Sequence, residues 1–122
     1  MKFHLQAPGA NVVTGMGPGW VRVGTIEYRK SSVLLPESVI TGWAPQGFDA
    51  LREADYASLL THVPEMVLLG TGATQRFPHP RLTAPLASAR IGIEVMDTRA
   101  ACRTFNILVA EDRRVAAALI VE

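Results

Sequence analysis

The spacing of apolar side chains changes partway along the chain. Through residue 48 the apolar positions recur at short period. "WVRVGTIEY", residues 20–28, alternates apolar and polar around Gly24 and reads as one half-buried strand. "SSVLLP" and "SVITGWAP" read as two more short strands, punctuated by Pro36, Gly42 and Pro45. Their β-branched and aromatic content supports that reading, and together they predict a small, mostly antiparallel meander.

From residue 49 the period lengthens. "LREADYASLLTHV" places Ala54, Ala57, Leu60 and Val63 near one helical stripe, with Asp55 or a nearby polar residue as cap and Pro64 as stop. "EMVLLG" is an uninterrupted apolar run, as expected of a strand covered on both faces. "TAPLASAR" suits a short helix capped by Thr83 with Pro85 in its first turn. "IGIEVM" is a further strand. Asp97 then opens a helix whose stripe is Ala101, Phe105, Leu108 and Val109, and "VAAALIV" is another buried run. The order α–β–α–β–α–β predicts an α/β fold: a largely parallel sheet with helices packed on it. The direction of the final strand stays open, an antiparallel edge position included.

Composition narrows the class. The 122 residues suit one domain, and 48% hydrophobic with 19% charged is a globular balance. Net charge is +1, and basic residues group only in pairs such as Arg29-Lys30 and Arg113-Arg114, so no nucleic-acid stripe is present. The lone Cys102 excludes an internal disulfide and any multi-cysteine metal site, and suggests a reducing compartment. No apolar run approaches the roughly 20 residues that span a bilayer. "MKFHLQAPGANVV" lacks an apolar leader core, so a soluble cytoplasmic protein is expected.

The chemistry centres on "MVLLGTGATQRFPHP", residues 66–80. Gly70-Thr71-Gly72 follows the carboxyl end of a buried strand, where open α/β sheets bind ligands. The dinucleotide fingerprint fails here. Its third glycine is replaced by Gln75, and Pro78 and Pro80 forbid a helix starting at Gly72 and running on. Without that helix there is no dipole to hold a pyrophosphate. A Walker loop is also absent. The connection from Thr71 to Thr83 is long enough to be functional, with Thr71, Gln75 and Arg76 lining a small pocket and Arg76 suited to an anion. The structural alternative is an ordered loop over the sheet end, with Phe77 tucked into the core. Asp97, Thr98 and Arg99 open the last helix and, in a parallel sheet, share the rim of Gly70. Asp97 is first of all a helix cap.

Elsewhere the signals are weak. His4, His62 and His79 have no metal-ligand spacing, so neither metal nor cofactor is expected. Cys102 has Arg99 and Arg103 beside it, which favours a thiolate, but a buried packing role is the commoner fate of a free cysteine. No G-x-S-x-G is present. Asn106 either faces solvent or reaches a neighbouring loop.

"LLGTGATQRFP" and "IGIEVMDTRAACRTFNILVAEDRRVAAALI" resemble a small domain family whose mitochondrial member is an assembly factor for respiratory complex I. The shared features are Gly70–Gly72, Gly92–Met96 followed by Asp97 and Thr98, and Thr104–Leu108, with "VITGWAP" similar in layout. The resemblance spans nearly the whole chain. It implies a three-layer α/β fold with a central mixed sheet. It carries over no catalytic residue, and the mitochondrial role implies a protein partner. The expectation is therefore a non-catalytic protein-binding module. The alternative is a protein or enzyme binding an anionic ligand in a crevice formed by Gly70, Thr71, Gly72, Gln75, Arg76, Asp97, Thr98 and Arg99.

Overall fold

The structure is a computed structural model and describes residues 10–122. His4 and most of the stretch read for a leader lie outside the described residues.

Two sheets form. The smaller is antiparallel, in the order β1 (Val13–Gly17), β2 (Trp20–Val23), β3 (Ile26–Tyr28). The single strand expected around Gly24 is thus a hairpin. Gly24 takes φ 59°, a left-handed turn that glycine adopts without strain, and the chain doubles back so that Val23 pairs with Ile26. β1 is a further strand that the alternation had not singled out. It runs through "VTGMG", whose two glycines dilute the period-two signal.

The larger sheet has five strands, in the order β5-β4-β8-β6-β7. These are β4 (Ser32–Leu34), β5 (Val39–Thr41), β6 (Met66–Gly70), β7 (Gly92–Met96) and β8 (Val115–Leu119). β6 runs parallel to both β7 and β8, while β4 runs antiparallel to β8 and β5. The sheet is therefore mixed, with its parallel part built from the β–α–β units of the second half. β8 is neither antiparallel to that part nor at an edge. It lies between β4 and β6, and all five of its residues are buried, as a central strand requires.

Alternate strand residues feed two cores. Val67, Leu69, Ala116 and Ala118 face one way, with Trp43, Tyr56, Leu59 and Leu86. Leu68, Val115, Ala117 and Leu119 face the other way, with Phe105, Val109 and the β1–β2 residues Val13, Val21 and Val23. Helices α1 (Glu53–Ala57) and α2 (Pro80–Ser88) cover the first face; α3 (Thr98–Ala110) and the small sheet cover the second. That gives three layers. The alanines of β8 let both outer layers approach closely.

Three local expectations are corrected. The helix over 51–63 lasts only through Ala57 and tightens into a 3₁₀ turn, Ser58–His62. The inner face is Tyr56 and Leu59, one residue before the expected Ala57 and Leu60, and Val63 is 75% exposed in a left-handed conformation. α2 begins at Pro80 instead of after Thr83, because the His79 ring nitrogen accepts the Arg81 N–H at 3.0 Å and Pro80 needs no partner at the first helical position. Pro85 accordingly sits inside the helix. Phe77 is not tucked into the core; it is 72% exposed.

Candidate functional site

The carboxyl ends of β6 and β7 and the start of α3 meet on one rim. β6 ends at Gly70, where a Cβ would stand 3.0 Å from the Thr98 Cα and 3.0 Å from Leu119, so a side chain there would crowd the close crossing of α3. The Thr71 N–H donates to the Met96 carbonyl at 2.9 Å. The Gly72 N–H donates to the Thr98 hydroxyl at 2.8 Å, and the Thr98 N–H returns to the Gly72 carbonyl at 2.9 Å. The same hydroxyl donates to the Ile120 carbonyl at 2.7 Å. One buried threonine thus ties together the glycine turn, the helix start and the chain beyond β8. Asp97 caps α3, accepting the Ala100 N–H at 2.8 Å.

Beyond Gly72 the loop is pinned from within. The Thr71 hydroxyl donates to the Thr74 carbonyl and accepts the Arg76 N–H. The Gln75 amide donates to the Val95 carbonyl at 2.9 Å. The Arg76 guanidinium grips the Thr71 carbonyl at 2.8 Å and Glu122 at 2.8 Å, and it lies 4.7 Å from the centre of the Phe48 ring. Its donors serve the fold.

A cavity of about 390 Å³ opens beside this turn. Gly72, Ala73, Asp97, Thr98 and Arg99 form one wall. Met16, Pro18 and Trp20 of the β1–β2 turn form the other, and Ile120 to Glu122 run between them. Four of the eight expected residues, Gly72, Asp97, Thr98 and Arg99, therefore share one concavity. Gly70, Thr71, Gln75 and Arg76 stand beside it and line none of it. The sequence reading missed the hairpin wall, although "MGPGW" carried a turn signal in its Gly-Pro-Gly core.

Cys102 is buried on α3. Burial pushes its thiol up to about 11, against a smaller opposing pull from Arg99 and Arg103, so the group is protonated at neutral pH and poorly nucleophilic. Asn106 reaches β1, accepting the Val13 N–H at 2.8 Å and donating to the Val13 carbonyl at 2.9 Å. This pairing holds the small sheet, and so the hairpin wall, against α3. Among the described residues, no helix is long and apolar enough to cross a membrane.

Known proteins bear on this arrangement. A mouse protein named NADH dehydrogenase (ubiquinone) 1 alpha subcomplex assembly factor 3 is 36% identical over 90 residues, 72% of this chain and 48% of that protein. The chain thus spans about half the length of that relative. A crystal structure from Bordetella parapertussis is 35% identical, with TM-score 0.84, covering 93% of this chain and 98% of that one. A Bordetella pertussis structure described as a Mth938-like domain is 32% identical, with TM-score 0.72, covering 98% of this chain and 92% of that one. The family described as "Protein of unknown function (DUF498/DUF598)" matches residues 13–120, spanning both sheets and the whole rim. The chain belongs to that family.

Proposed function

We propose that this chain is a protein-binding module of the assembly-factor kind, without chemistry of its own, and that Gly72, Asp97, Thr98 and Arg99 lie on its contact surface. The likeness to the mouse assembly factor carries this reading, since it takes in 72% of the chain. The state of the site residues supports it. Thr71, Gln75 and Arg76 donate to the Thr74, Val95 and Thr71 carbonyls, Arg76 also to Glu122, and the Cys102 thiol is buried and protonated. What the site offers outward is a shaped, partly apolar hollow with few polar groups uncommitted, which suits recognition by contact. A reducing, cytoplasmic setting belongs to the same reading, since the free thiol is shielded inside α3.

The test is recovery of a partner from the source cell. The chain, tagged and expressed at its native level, is cross-linked in living cells and purified beside the Trp20→Asp variant. A protein recovered in near-equal amount with the wild type and lost with the variant is the expected result. Recovery of background proteins alone, from wild type and variant equally, would refute the reading.

A further inference from the structure

We propose that the cavity between the β1–β2 turn and the start of α3 seats an acidic peptide segment of the partner, with an apolar side chain entering the hollow and a neighbouring carboxylate meeting Arg99. The proposal rests on the protein-binding reading above and names the partner's chemistry.

Shape comes first. At about 390 Å³ the hollow falls at the small end of the roughly 300–1,000 Å³ range of ligand pockets. Met16, Pro18 and Trp20 make one wall apolar, and the half-buried Val121 continues that surface. The turn bearing Trp20 can close this tightly because Gly17 has no side chain: a Cβ there would stand 2.6 Å from the Trp20 indole nitrogen. An aromatic wall with an arginine at its edge is the composition that dominates protein-binding energetics.

Charge comes second. Two acids, Asp97 and Glu122, line the hollow. Glu122 pairs with Arg76, and Asp97 caps α3. Arg99 is exposed and, among the described residues, makes no ion pair. Arg103, one helical turn on, is also exposed and outside every ion pair found there. Arg22 lies 5.7 Å from the centre of the Trp20 ring and donates to the Thr14 hydroxyl and carbonyl, so it braces the ring and is not counted among the free cations. Arg99 and Arg103 are thus cations beside the apolar wall that stand outside every ion pair among the described residues, and a planar guanidinium matches a carboxylate with two parallel hydrogen bonds.

Reach distinguishes a peptide from a free carboxylic acid. Arg99, Arg103 and Ile107 recur every fourth residue along the outer face of α3, and Ile107 is 59% exposed. Eight residues of helix rise roughly 12 Å, about the span of four extended residues. A segment that enters the hollow at Trp20 can follow this stripe away from it; a small acid would leave Arg103 and Ile107 uncovered.

The experiment has two arms. In the first, amide and indole NMR signals are followed while acetyl-Glu-Leu-Phe-Glu-amide is added, beside acetyl-Lys-Leu-Phe-Lys-amide and octanoate. The expected result is a saturable shift of the Trp20 indole and Arg99 signals with the acidic peptide. Arg99→Glu should weaken it about tenfold and reverse the preference toward the basic peptide; Arg99→Gln should weaken it less. Octanoate binding more tightly than the peptide, an unchanged Arg99→Glu affinity, or no saturation at millimolar peptide would each overturn the proposal. In the second arm a photo-cross-linking phenylalanine replaces Pro18 at the hollow, or Glu53 on the opposite layer, in living cells. Adducts at position 18 that vanish with Arg99→Glu support the proposal. Adducts at position 53 alone overturn it and move the contact surface to the opposite layer while sparing the protein-binding role, and adducts at neither sink both.

Discussion

At the scale of single residues the fold carries a few commitments whose removal should be measurable. The Tyr56 hydroxyl is fully buried, and among the described residues it finds no hydrogen-bond partner. The ring itself packs edge-on against Trp43, with centroids 6.1 Å apart. Tyr56→Phe keeps the ring and removes the unsatisfied group, so urea titration at neutral pH should show a gain of about 1 kcal/mol. Burial, with Asp55 adding to it, pushes the Tyr56 hydroxyl up to about 12 from 10.0. Above pH 10 the unfolded chain releases a proton that the folded chain keeps. Wild-type stability should therefore fall as pH rises from about 10 to about 12, and the phenylalanine variant should lose part of that slope. Thr98 makes the opposite case. Thr98→Val strands the Gly72 N–H and the Ile120 carbonyl, both otherwise satisfied by its hydroxyl. The cost should be about 2 kcal/mol or more, read from the same titration.

At the scale of elements, what the sequence made legible followed from how regular each element is. β6 and β8 show as uninterrupted apolar runs, α3 is long enough for its period to outweigh noise, and the stripe Ala101, Phe105, Val109 is buried as its spacing predicts. The failures fall where geometry departs from either period. Over residues 51–63 the α-helix gives way to a 3₁₀ segment after Ala57, and the inward face, Tyr56 and Leu59, lies one residue before the expected stripe. The hairpin at Gly24 looks like one strand because alternation continues through the turn. α2 hid its start because the cap is a histidine ring in place of the usual hydroxyl or carboxylate. Asp97 was legible as a cap from its place between strand and helix. Asp97→Ala should lower stability by about 1 kcal/mol, with the first turn of α3 exchanging its amide hydrogens faster.

At the scale of the whole molecule, the candidate site was half legible. That Gly72 and Asp97 share a rim follows from parallel β–α–β connection alone, so the sequence sufficed. That Arg76 turns inward to Thr71 and Glu122 did not follow, because its partner stands 46 residues away. Nor did the hairpin wall, whose small sheet packs on α3 through a shared core and through Asn106, 93 residues from Val13. The sheet order adds a prediction of its own. The pair β4–β5 and the pair β6–β7 are joined only across β8. A chain ending at Arg114 should therefore show neither the cooperative melt nor the dispersed amide spectrum of the full chain. During synthesis the same arrangement imposes a wait. Both half-sheets leave the ribosome with a bare polar edge facing the gap, and neither can close until residues 115–119 clear the exit tunnel. Nascent chains of this protein should thus depend on holding chaperones, and stay sensitive to proteases, until β8 has emerged.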